Sequence, residues 1–213
     1  MLILASASPR RSELLTQAGF TFRVHPAHID ETLRPSEDPI AYVTRLAREK
    51  AEAVYQEIAG APGLELETWD SKALDRGSLV VLGADTTVTL DSHILGKPEN
   101  SEDAARMLRL LSGRTHRVIT GVSLVSAAQT QTKAEATAVE FLSLSEEDIQ
   151  AYIATGEPND KAGAYAIQGR AARWIPRIEG CYFNVVGLPI SLVSTLLESV
   201  PSFWASRFPS TNS

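Results

Sequence analysis

The chain has 213 residues, of which 44% are hydrophobic and 22% are charged, a composition typical of a soluble globular protein. Its formal net charge of -6 argues against DNA or RNA as the main partner, because general nucleic-acid binders are usually basic. The single cysteine, Cys181, cannot form an internal disulfide and favours a reducing cytoplasm, and the apolar runs are too short to predict a signal peptide or a membrane span.

The N-terminal stretch predicts a strand, a helix and an anion site between them. Residues 2–5 form an apolar run typical of a buried strand, Ser8 is a favourable N-cap, and Pro9 suits the first helical position. Arg10 and Arg11 then fall at the positive end of the helix dipole, which is unfavourable unless an anion neutralises them. Phosphate is the anion best suited to such a site, although the arginines of a simply capped helix would point into water. The side chains that would converge on the anion are those of Ser6, Ser8, Arg10 and Arg11.

A long helix is predicted over residues 39–58, after a strand at 20–24 and a polar loop at 25–39. Its apolar positions recur with helical spacing at Ile40, Val43, Leu46, Ala47, Ala51, Val54 and Ile58. Lys50 lies at the edge of this apolar stripe, and helical spacing leaves two interpretations of it. The lysine either extends along its stem toward water or directs its charge into a cleft.

Two acidic positions differ from their surroundings. Asp30 and Glu31 are adjacent in the polar loop, where paired carboxylates either hold a hard cation or remain solvated surface groups. Asp85 interrupts an otherwise apolar strand over residues 79–90, and a buried aspartate is costly unless it is paired or binds a metal. A functional role is therefore predicted for Asp85.

The rest of the chain alternates helices and strands, which predicts an α/β or mixed α+β fold. Helices are predicted to begin at Asn100 or Ser101, at Ser145 and after Pro189, and strands are predicted at 93–95, 117–126, 133–142, 173–179 and 182–186. Residues 59–78 are predicted to form a surface excursion, and the tail 201–213 to be poorly ordered. Segment 159–169 is rich in small residues, which indicates either a close approach of the backbone to another group or a plain glycine-rich turn.

Short motifs in a fixed order indicate a family. They are Ser6-Ala-Ser-Pro-Arg-Arg11, Asp30-Glu31, Gly83-Ala-Asp-Thr86 with Gly96-Lys97-Pro98, Asp160-Lys-Ala-Gly-Ala-Tyr-Ala-Ile-Gln-Gly169, and Val185-Val-Gly-Leu-Pro189. In this order and at these separations they closely resemble the Maf family of nucleoside triphosphate pyrophosphatases, from Leu2 to about Leu197. The resemblance implies one domain over residues 1–200 with a fold similar to the inosine triphosphatase type. That fold is a twisted mixed sheet with helices and two lobes around a deep cleft.

The resemblance also implies an activity and its requirements. Such enzymes hydrolyse the bond between the α and β phosphates of a nucleoside triphosphate, which gives a monophosphate and pyrophosphate. They need a divalent cation, Mg²⁺ or Mn²⁺, are often homodimers, and act in the cytoplasm. The family has also been linked to cell division and septum formation, which leaves a nucleotide-binding regulator with little turnover as an alternative function.

The matched residues have implied roles that suit phosphoanhydride hydrolysis, in which a water is positioned and phosphate charge is offset. Glu31 and Asp85 are expected to bind the metal, with Asp85 as the general base and Glu31 as a ligand, a base partner, or both. Lys50, Lys97 and Lys161 are expected to offset charge on the leaving pyrophosphate. The substrate-binding residues are expected to be Ser6, Ser8, Arg10, Arg11, Thr86, Lys161 and Gln168.

Three of these residues discriminate between two branches of the family. One branch resembles dTTP/UTP pyrophosphatases. The other resembles 7-methyl-GTP pyrophosphatases, which typically have an aromatic residue in place of Arg10, a glutamine in place of Thr86 and an acid in place of Gln168. This chain therefore falls with the dTTP/UTP branch, and 7-methyl-GTP hydrolysis is the closer alternative. Gln168 is expected to pair with the edge of uracil or thymine, because its amide both donates and accepts hydrogen bonds.

Overall fold

A mixed β-sheet forms the framework of the computed structural model, which describes residues 1–60, 78–91 and 93–200. Within those residues its seven strands are β1 (Leu2–Leu4), β2 (Arg23–Val24), β3 (Val80–Leu90), β4 (His93–Leu95), β5 (Thr115–Ser126), β6 (Thr130–Glu140) and β7 (Arg177–Glu179). The strand order is β2-β1-β3-β5-β6-β7, and β4 pairs with β3. β1 is parallel to β2 and to β3, whereas the other pairs are antiparallel, so the predicted mixed α/β class is confirmed.

Helices pack on both faces of this sheet. In the described part of the chain they are α1 (Pro9–Gln17), α2 (Pro39–Gly60), α3 (Ser101–Leu111), α4 (Glu146–Ile153), α5 (Tyr182–Val186) and α6 (Ile190–Glu198), with 3₁₀ turns at Glu157–Asp160, Ala162–Ala164 and Arg170–Trp174. Two predicted helix starts are capped as expected, because Asn100 accepts a hydrogen bond from the Asp103 N–H and Ser145 accepts one from the Asp148 N–H. None of the helices in the described residues is long and apolar enough to cross a membrane.

One edge of β3 is shared by two different strands. β1 pairs with residues 80–82 near the start of β3, and β4 pairs with residues 88–90 at its end. Neither of these two strands reaches residues 83–87, although β5 pairs with that segment along the other edge. A gap in the sheet therefore opens beside β3 at the position of Asp85.

α2 crosses one face of the sheet in direct backbone contact. A β-carbon added at Gly83 would lie 2.1 Å from the carbonyl oxygen of Ala47, and one at Gly121 would lie 2.3 Å from that of Val43. Glycine is therefore required for α2 to lie this close to β3 and β5. Because residues of a strand alternate between its two faces, Asp85 lies on the same face as Gly83 and is directed toward α2.

The opposite face of β3 supports two separate hydrophobic clusters. The first packs the start of β3 against α1 and α6, and it includes Leu15 and Leu196. The second packs the end of β3 against α3 and α4, and it includes Val88 and Leu108. Thr86 lies on this face of the strand between the two clusters. These clusters are the cores of the two lobes that the resemblance implied.

The predicted strand at 182–186 is wrong, because these residues form the short helix α5. Asn184 explains the difference, since its side-chain amide donates to the Val118 carbonyl at 2.9 Å and to Thr137 Oγ1 at 3.0 Å. The Thr120 hydroxyl in turn donates to the Asn184 carbonyl at 3.2 Å. These tertiary hydrogen bonds hold one helical turn against β5 and β6 and override the β-propensity of the local sequence.

The other differences are smaller. Of the strands predicted at 20–24 and 173–179, only the ends pair, as β2 and β7, and a 3₁₀ turn replaces the start of the second. Ile40, predicted to lie on the buried stripe of α2, is 51% exposed, because the buried part of that helix begins at Val43. The first two residues of the excursion predicted at 59–78 belong instead to α2, which continues to Gly60. Residues 61–77 lie outside the described residues, as does the tail 201–213.

Candidate active site

A cleft of about 690 Å³ opens at the gap beside β3 and runs between the two lobes. Its lining comes from the loop between β1 and α1, from the loop before α2, from α2 and β3, and from the segment 160–168. Every site residue predicted from the sequence lines this cleft: Ser6, Ser8, Arg10, Arg11, Glu31, Lys50, Asp85, Thr86, Lys97, Lys161 and Gln168. The fold therefore brings together side chains that are far apart in the chain.

Lys50 lies between two carboxylates in the cleft. Its Nζ is 2.7 Å from Asp85 Oδ1 and 2.7 Å from Glu31 Oε1. The side chains of Lys50 and Asp85 are 10% and 13% exposed, whereas Glu31 reaches in from its loop and is 52% exposed. Of the two interpretations of Lys50, the structure supports the one in which its charge is directed into the cleft. Glu31, Lys50 and Asp85 are called the Lys50 cluster below.

The electrostatic environment of Glu31 favours its charged form. Burial raises the pKa of Glu31, but the hydrogen bond from Lys50 and the charge of Lys50 lower it by more than burial raises it. The pKa of Glu31 therefore lies below its ordinary value. The charges of Lys97 and Arg11 contribute to the same lowering of the pKa. Glu31 is therefore an anion at neutral pH and can bind a cation.

Arg11 is bound mainly by the protein itself. Its N–H groups donate to the Gly187 carbonyl at 2.9 Å, the Ala84 carbonyl at 2.8 Å, Ser6 Oγ at 3.0 Å and Thr86 Oγ1 at 3.1 Å. A guanidinium has five N–H groups, so one is left without an acceptor among the described residues. Burial lowers the pKa of Arg11, although the charge of Asp85 opposes the effect. Phosphate binding by Arg11 stays a prediction, and its observed contacts fill the gap beside β3.

The hydroxyl of Thr86 is also held inside the protein. It accepts a hydrogen bond from Arg11, and it lies 3.0 Å from Thr120 Oγ1 and 3.3 Å from the Gly187 carbonyl oxygen. Thr120 continues this chain of hydrogen bonds to Asn184 in α5. The observed contacts of Thr86 therefore join β3 to α5 and the turn that follows it, and a direct contact with substrate stays a prediction.

A second charged cluster joins the two lobes across the cleft. Arg10 Nη1 of α1 is 3.9 Å from Asp160 Oδ2, and Lys161 Nζ donates to Asp160 Oδ1. The hydrogen bond from Lys161 holds the pKa of Asp160 below its ordinary value. The Asp160 side chain is 69% exposed, compared with 31% for Arg10 and 15% for Lys161. These three residues are called the Asp160 cluster below, and two of them are predicted phosphate ligands.

Three further predicted residues complete the lining. Ser8 stands at the N-cap of α1 as expected, but its side chain makes no capping hydrogen bond. Lys97 follows β4, and Gln168 is exposed where the segment 160–168 meets the cleft. Their positions suit contacts with a ligand in the cleft, and those contacts stay predictions.

Two lining residues next to the Lys50 cluster were not predicted. The hydroxyl of Tyr42 donates to the Glu31 carbonyl oxygen at 3.0 Å. Tyr42 precedes Lys50 by about two helical turns, and this spacing was a signal in the sequence that could have identified it. Thr87 follows Asp85 on the same face of β3, and its buried Oγ1 has no hydrogen-bond partner within the described ranges.

Tyr165 was also missed, and it depends on a residue far away in the sequence. Its hydroxyl lies 2.7 Å from Nε2 of His116, which is buried on β5. Burial lowers the pKa of His116 to about 4, so the imidazole is neutral at physiological pH. This pair holds the segment 162–168 against the sheet, and no spacing in the sequence connects its two members.

The oxygen atoms of the Lys50 cluster fit a hard divalent cation. Asp85 and Glu31 present carboxylates close enough to share one ammonium group, and Mg²⁺ and Mn²⁺ favour oxygen ligands. In the part of the chain that the structure describes, no group of three or more His, Cys, Asp or Glu side chains is suited to a metal. Two carboxylates nevertheless suffice for Mg²⁺, which keeps several waters and also binds substrate phosphates. Metal binding stays a prediction.

The fold and the cleft together define a class of protein. A mixed α/β protein with cations from both lobes around a carboxylate–lysine cluster is suited to a small, phosphate-rich ligand. The chain belongs to the family described as Maf-like protein, whose model matches residues 1–200.

Relatives in this family align with nearly the whole chain. It is 50% identical over 197 residues to the dTTP/UTP pyrophosphatase of Koribacter versatilis (strain Ellin345), covering 92% of this chain and 93% of that protein. It is 47% identical over 199 residues to the dTTP/UTP pyrophosphatase of Chromobacterium violaceum, covering 92% of each. It is 46% identical over 198 residues to the dTTP/UTP pyrophosphatase of Thermococcus onnurineus (strain NA1), covering 93% of this chain and 97% of that protein. Among solved structures, that of the Staphylococcus aureus Ham1 protein aligns with 93% of this chain and 98% of its own, with 12% identity and a TM-score of 0.43.

Proposed function

We propose that this chain hydrolyses dTTP and UTP to the nucleoside monophosphate and pyrophosphate. The observation that carries the proposal is the Lys50 cluster, in which one lysine joins two carboxylates inside a cleft that also contains cations from both lobes. Relatives that are 46%, 47% and 50% identical over nearly the whole chain have the name dTTP/UTP pyrophosphatase, which supports the same activity.

The reaction breaks one phosphoanhydride bond. A water oxygen forms a bond to phosphorus, the bond between the α and β phosphates breaks, and its electron pair leaves with pyrophosphate. We assign Asp85 as the base that accepts the proton of this water, because it stands in the gap beside β3 and is held by Lys50. Lys50 and Lys97 offset charge on the phosphates, while Arg10 and Lys161 bind the outer part of the triphosphate.

A divalent cation, Mg²⁺ or Mn²⁺, is the proposed cofactor, with Asp85 and Glu31 as its protein ligands. When bound, such a cation supplies charge neutralisation of the phosphates and a lower pKa for a coordinated water. The contribution of the protein is to hold both carboxylates in one place. What supports this role is that Lys50 contacts each of the two at 2.7 Å, so the carboxylates lie close enough together to share one cation.

The proposed preference for pyrimidines rests on Arg10, Thr86 and Gln168. A 7-methylguanine base is cationic, so it would favour an acid and an aromatic face rather than Arg10 and the neutral amide of Gln168. Uracil and thymine differ by one methyl group, which typically discriminates by only about 1–3 kcal/mol. Both UTP and dTTP are therefore expected to be good substrates.

A homodimer in the cytoplasm is the proposed working state, by resemblance to the family. The single cysteine suits a reducing compartment. Light scattering coupled to size-exclusion chromatography tests the dimer, since a protein that remains monomeric at micromolar concentration would contradict it.

Pyrophosphate release from a nucleotide panel tests the proposed activity. With Mg²⁺ or Mn²⁺ present, UTP and dTTP are expected to give the highest kcat/KM and 7-methyl-GTP a low value. Lys50→Met is expected to remove most of the activity, whereas Lys133→Met, which changes an exposed lysine on β6, is the matched control and should retain it. Absence of turnover with every nucleotide would contradict the enzyme and favour the nucleotide-binding regulator. A preference for 7-methyl-GTP would overturn only the base assignment.

A further inference from the structure

The loop that carries Glu31 has no regular secondary structure to hold it. Residues 25–38 join β2 to α2. They contain a turn at residues 35–36 but no helix or strand. At one end His25 N–H donates to the Leu4 carbonyl, and near the other Glu37 N–H donates to the Arg34 carbonyl. Between them, the Thr32 N–H and hydroxyl donate to Asp30 Oδ1, at 2.9 and 2.6 Å, which fixes one local turn. The backbone freedom that remains is removed by contacts from another element.

Arg45 of α2 supplies several of these contacts. Its Nε and Nη2 donate to the two carboxylate oxygens of Glu37 at 2.6 and 2.7 Å, and its Nη2 also donates to the Thr32 carbonyl at 3.1 Å. Its Nη1 donates to Glu49, one turn further along the same helix, at 3.1 Å. The Arg45 side chain is only 7% exposed. A planar guanidinium bound in this way holds a loop in one position, because its donors are fixed relative to one another.

Tyr42 holds the neighbouring peptide from the same helix. Its hydroxyl donates to the Glu31 carbonyl oxygen at 3.0 Å, and its ring lies below the guanidinium of Arg45, 5.6 Å from the centroid. α2 therefore binds the carbonyl groups of the consecutive residues Glu31 and Thr32. The same helix provides Lys50, which binds the Glu31 carboxylate, so it positions both the backbone and the side chain of Glu31.

We propose that Arg45 is a positioning residue that holds Glu31 beside Asp85 and thereby sets the affinity of the site for a divalent cation. This inference rests on the proposed function, in which Glu31 is a cation ligand. Arg45 itself is not among the residues that line the cleft, so it acts through the loop rather than on the substrate. If Arg45 served only to stabilise the fold, its loss would lower the melting temperature and leave cation binding unchanged.

Binding of Mn²⁺ to the purified protein, measured from the electron paramagnetic resonance signal of the free ion, separates the two roles without any turnover. Arg45→Met is expected to weaken Mn²⁺ binding about 10-fold or more, because loss of groups that orient a metal ligand typically costs about 10–100-fold in affinity. The Mn²⁺ concentration for half-maximal UTP hydrolysis should rise in parallel, while kcat at saturating Mn²⁺ falls less. Arg45→Lys keeps the charge but loses the planar fork, so a similar loss of Mn²⁺ affinity is expected.

Arg48→Met is the matched control, because Arg48 lies on the same helix, is 51% exposed and pairs with Glu52 at 3.9 Å. It should bind Mn²⁺ as the wild type does. If Arg45→Met does not fold, Arg45→Lys tests the same inference, because it keeps the charge beside Glu37 but cannot hold Glu37 and the Thr32 carbonyl with one planar fork. Tyr42→Phe removes the separate hydrogen bond to the Glu31 carbonyl, and about 3-fold weaker Mn²⁺ binding is expected.

Folded Arg45→Met protein with wild-type Mn²⁺ affinity overturns the inference, even if its melting temperature is lower. Where Arg45→Met is unfolded, wild-type Mn²⁺ affinity in folded Arg45→Lys protein overturns it in the same way. A wild-type protein that binds Mn²⁺ and hydrolyses no nucleotide would overturn the proposed function instead, and the Mn²⁺ affinities of the variants would still decide the role of Arg45.

Discussion

The Lys50 cluster and the Asp160 cluster both pair cations with carboxylates in the same cleft, but they are built differently. Lys50 and Asp85 are 10% and 13% exposed and come from α2 and β3, whose backbones are in contact. Asp160 is 69% exposed, belongs to a 3₁₀ turn and reaches Arg10 of the other lobe only at 3.9 Å. Removing one partner of a buried ion pair costs about 3–5 kcal/mol, whereas an exposed pair contributes about 0–1 kcal/mol. Under the proposed function, substrate phosphates would therefore displace Asp160 at little cost, while the Lys50 cluster keeps its geometry.

The largest effect is expected when the Lys50 cluster loses a charge. Asp85→Asn is nearly isosteric but removes the carboxylate that faces Lys50, so hydrolysis of UTP should fall by about 10²–10⁴-fold, the usual contribution of a general base. Pyrophosphate release and a thermal melt of the same preparation check this result. A folded variant with activity within a few-fold of the wild type would exclude Asp85 as base and as metal ligand.

Acid is expected to destabilise the protein through the buried pair of His116 and Tyr165, which holds the segment 162–168 against the sheet. Because burial lowers the pKa of His116 from 6.5 to about 4 in the folded protein, the unfolded chain binds a proton between these pH values that the folded protein does not. Stability therefore falls as the pH drops below about 6.5, and His116 accounts for a loss of about 3 kcal/mol by pH 4. Urea unfolding at pH 7 and pH 4 should show a smaller pH dependence for His116→Gln than for the wild type. Equal pH dependence of the two proteins would contradict this role of His116.

The close contact between α2 and the sheet should be disrupted by a single added methyl group at Gly83. Gly83→Ala would place a β-carbon 2.1 Å from the Ala47 carbonyl oxygen, so α2 must shift, at a cost of about 1–3 kcal/mol. Activity should also fall, because the shift moves Lys50 relative to Asp85. Gly60→Ala at the end of the same helix is the control, since its β-carbon would meet nothing within 4 Å. A melting temperature for Gly83→Ala equal to that of the control would show that α2 adapts without cost.

The smallest effect is expected at the Asp160 cluster. Asp160→Asn removes the carboxylate that pairs with Arg10 and Lys161, the two proposed phosphate ligands. The KM for UTP should therefore decrease by about 2–5-fold, in line with the small contribution of an exposed pair. The kcat should stay near the wild-type value. Steady-state kinetics at fixed ionic strength test this prediction, and a higher KM would mean that Asp160 positions the two cations rather than competing for them.

The features predicted correctly from the sequence are those with a local signal. A serine followed by proline after a short apolar run indicated the first strand and helix. An aspartate within an apolar strand indicated a functional residue, and Asp85 does line the cleft. The order and separation of the five short motifs then indicated the family. These signals come from backbone conformation and from the cost of burying charge, both of which depend on neighbouring residues.

The features that could not be predicted depend on contacts between distant parts of the chain. Arg10 and Arg11 are adjacent and chemically identical, yet Arg11 is bound by oxygens from β3 and from the Gly187 turn, while Arg10 faces the cleft and Asp160. Residues 182–186 favour a strand locally, and only the buried hydrogen bonds of Asn184 explain why they form a helix. The support of the Glu31 loop by Arg45 has the same origin.

The interrupted edge of β3 has a consequence for association between molecules. An open strand edge presents unpaired peptide groups, to which a strand of another chain can add and start aggregation. The guanidinium of Arg11 donates a hydrogen bond to the Ala84 carbonyl at 2.8 Å. Its charge makes this part of the strand edge unsuitable for pairing with an added strand. One side chain therefore fills part of the open edge and protects it from pairing with another polypeptide.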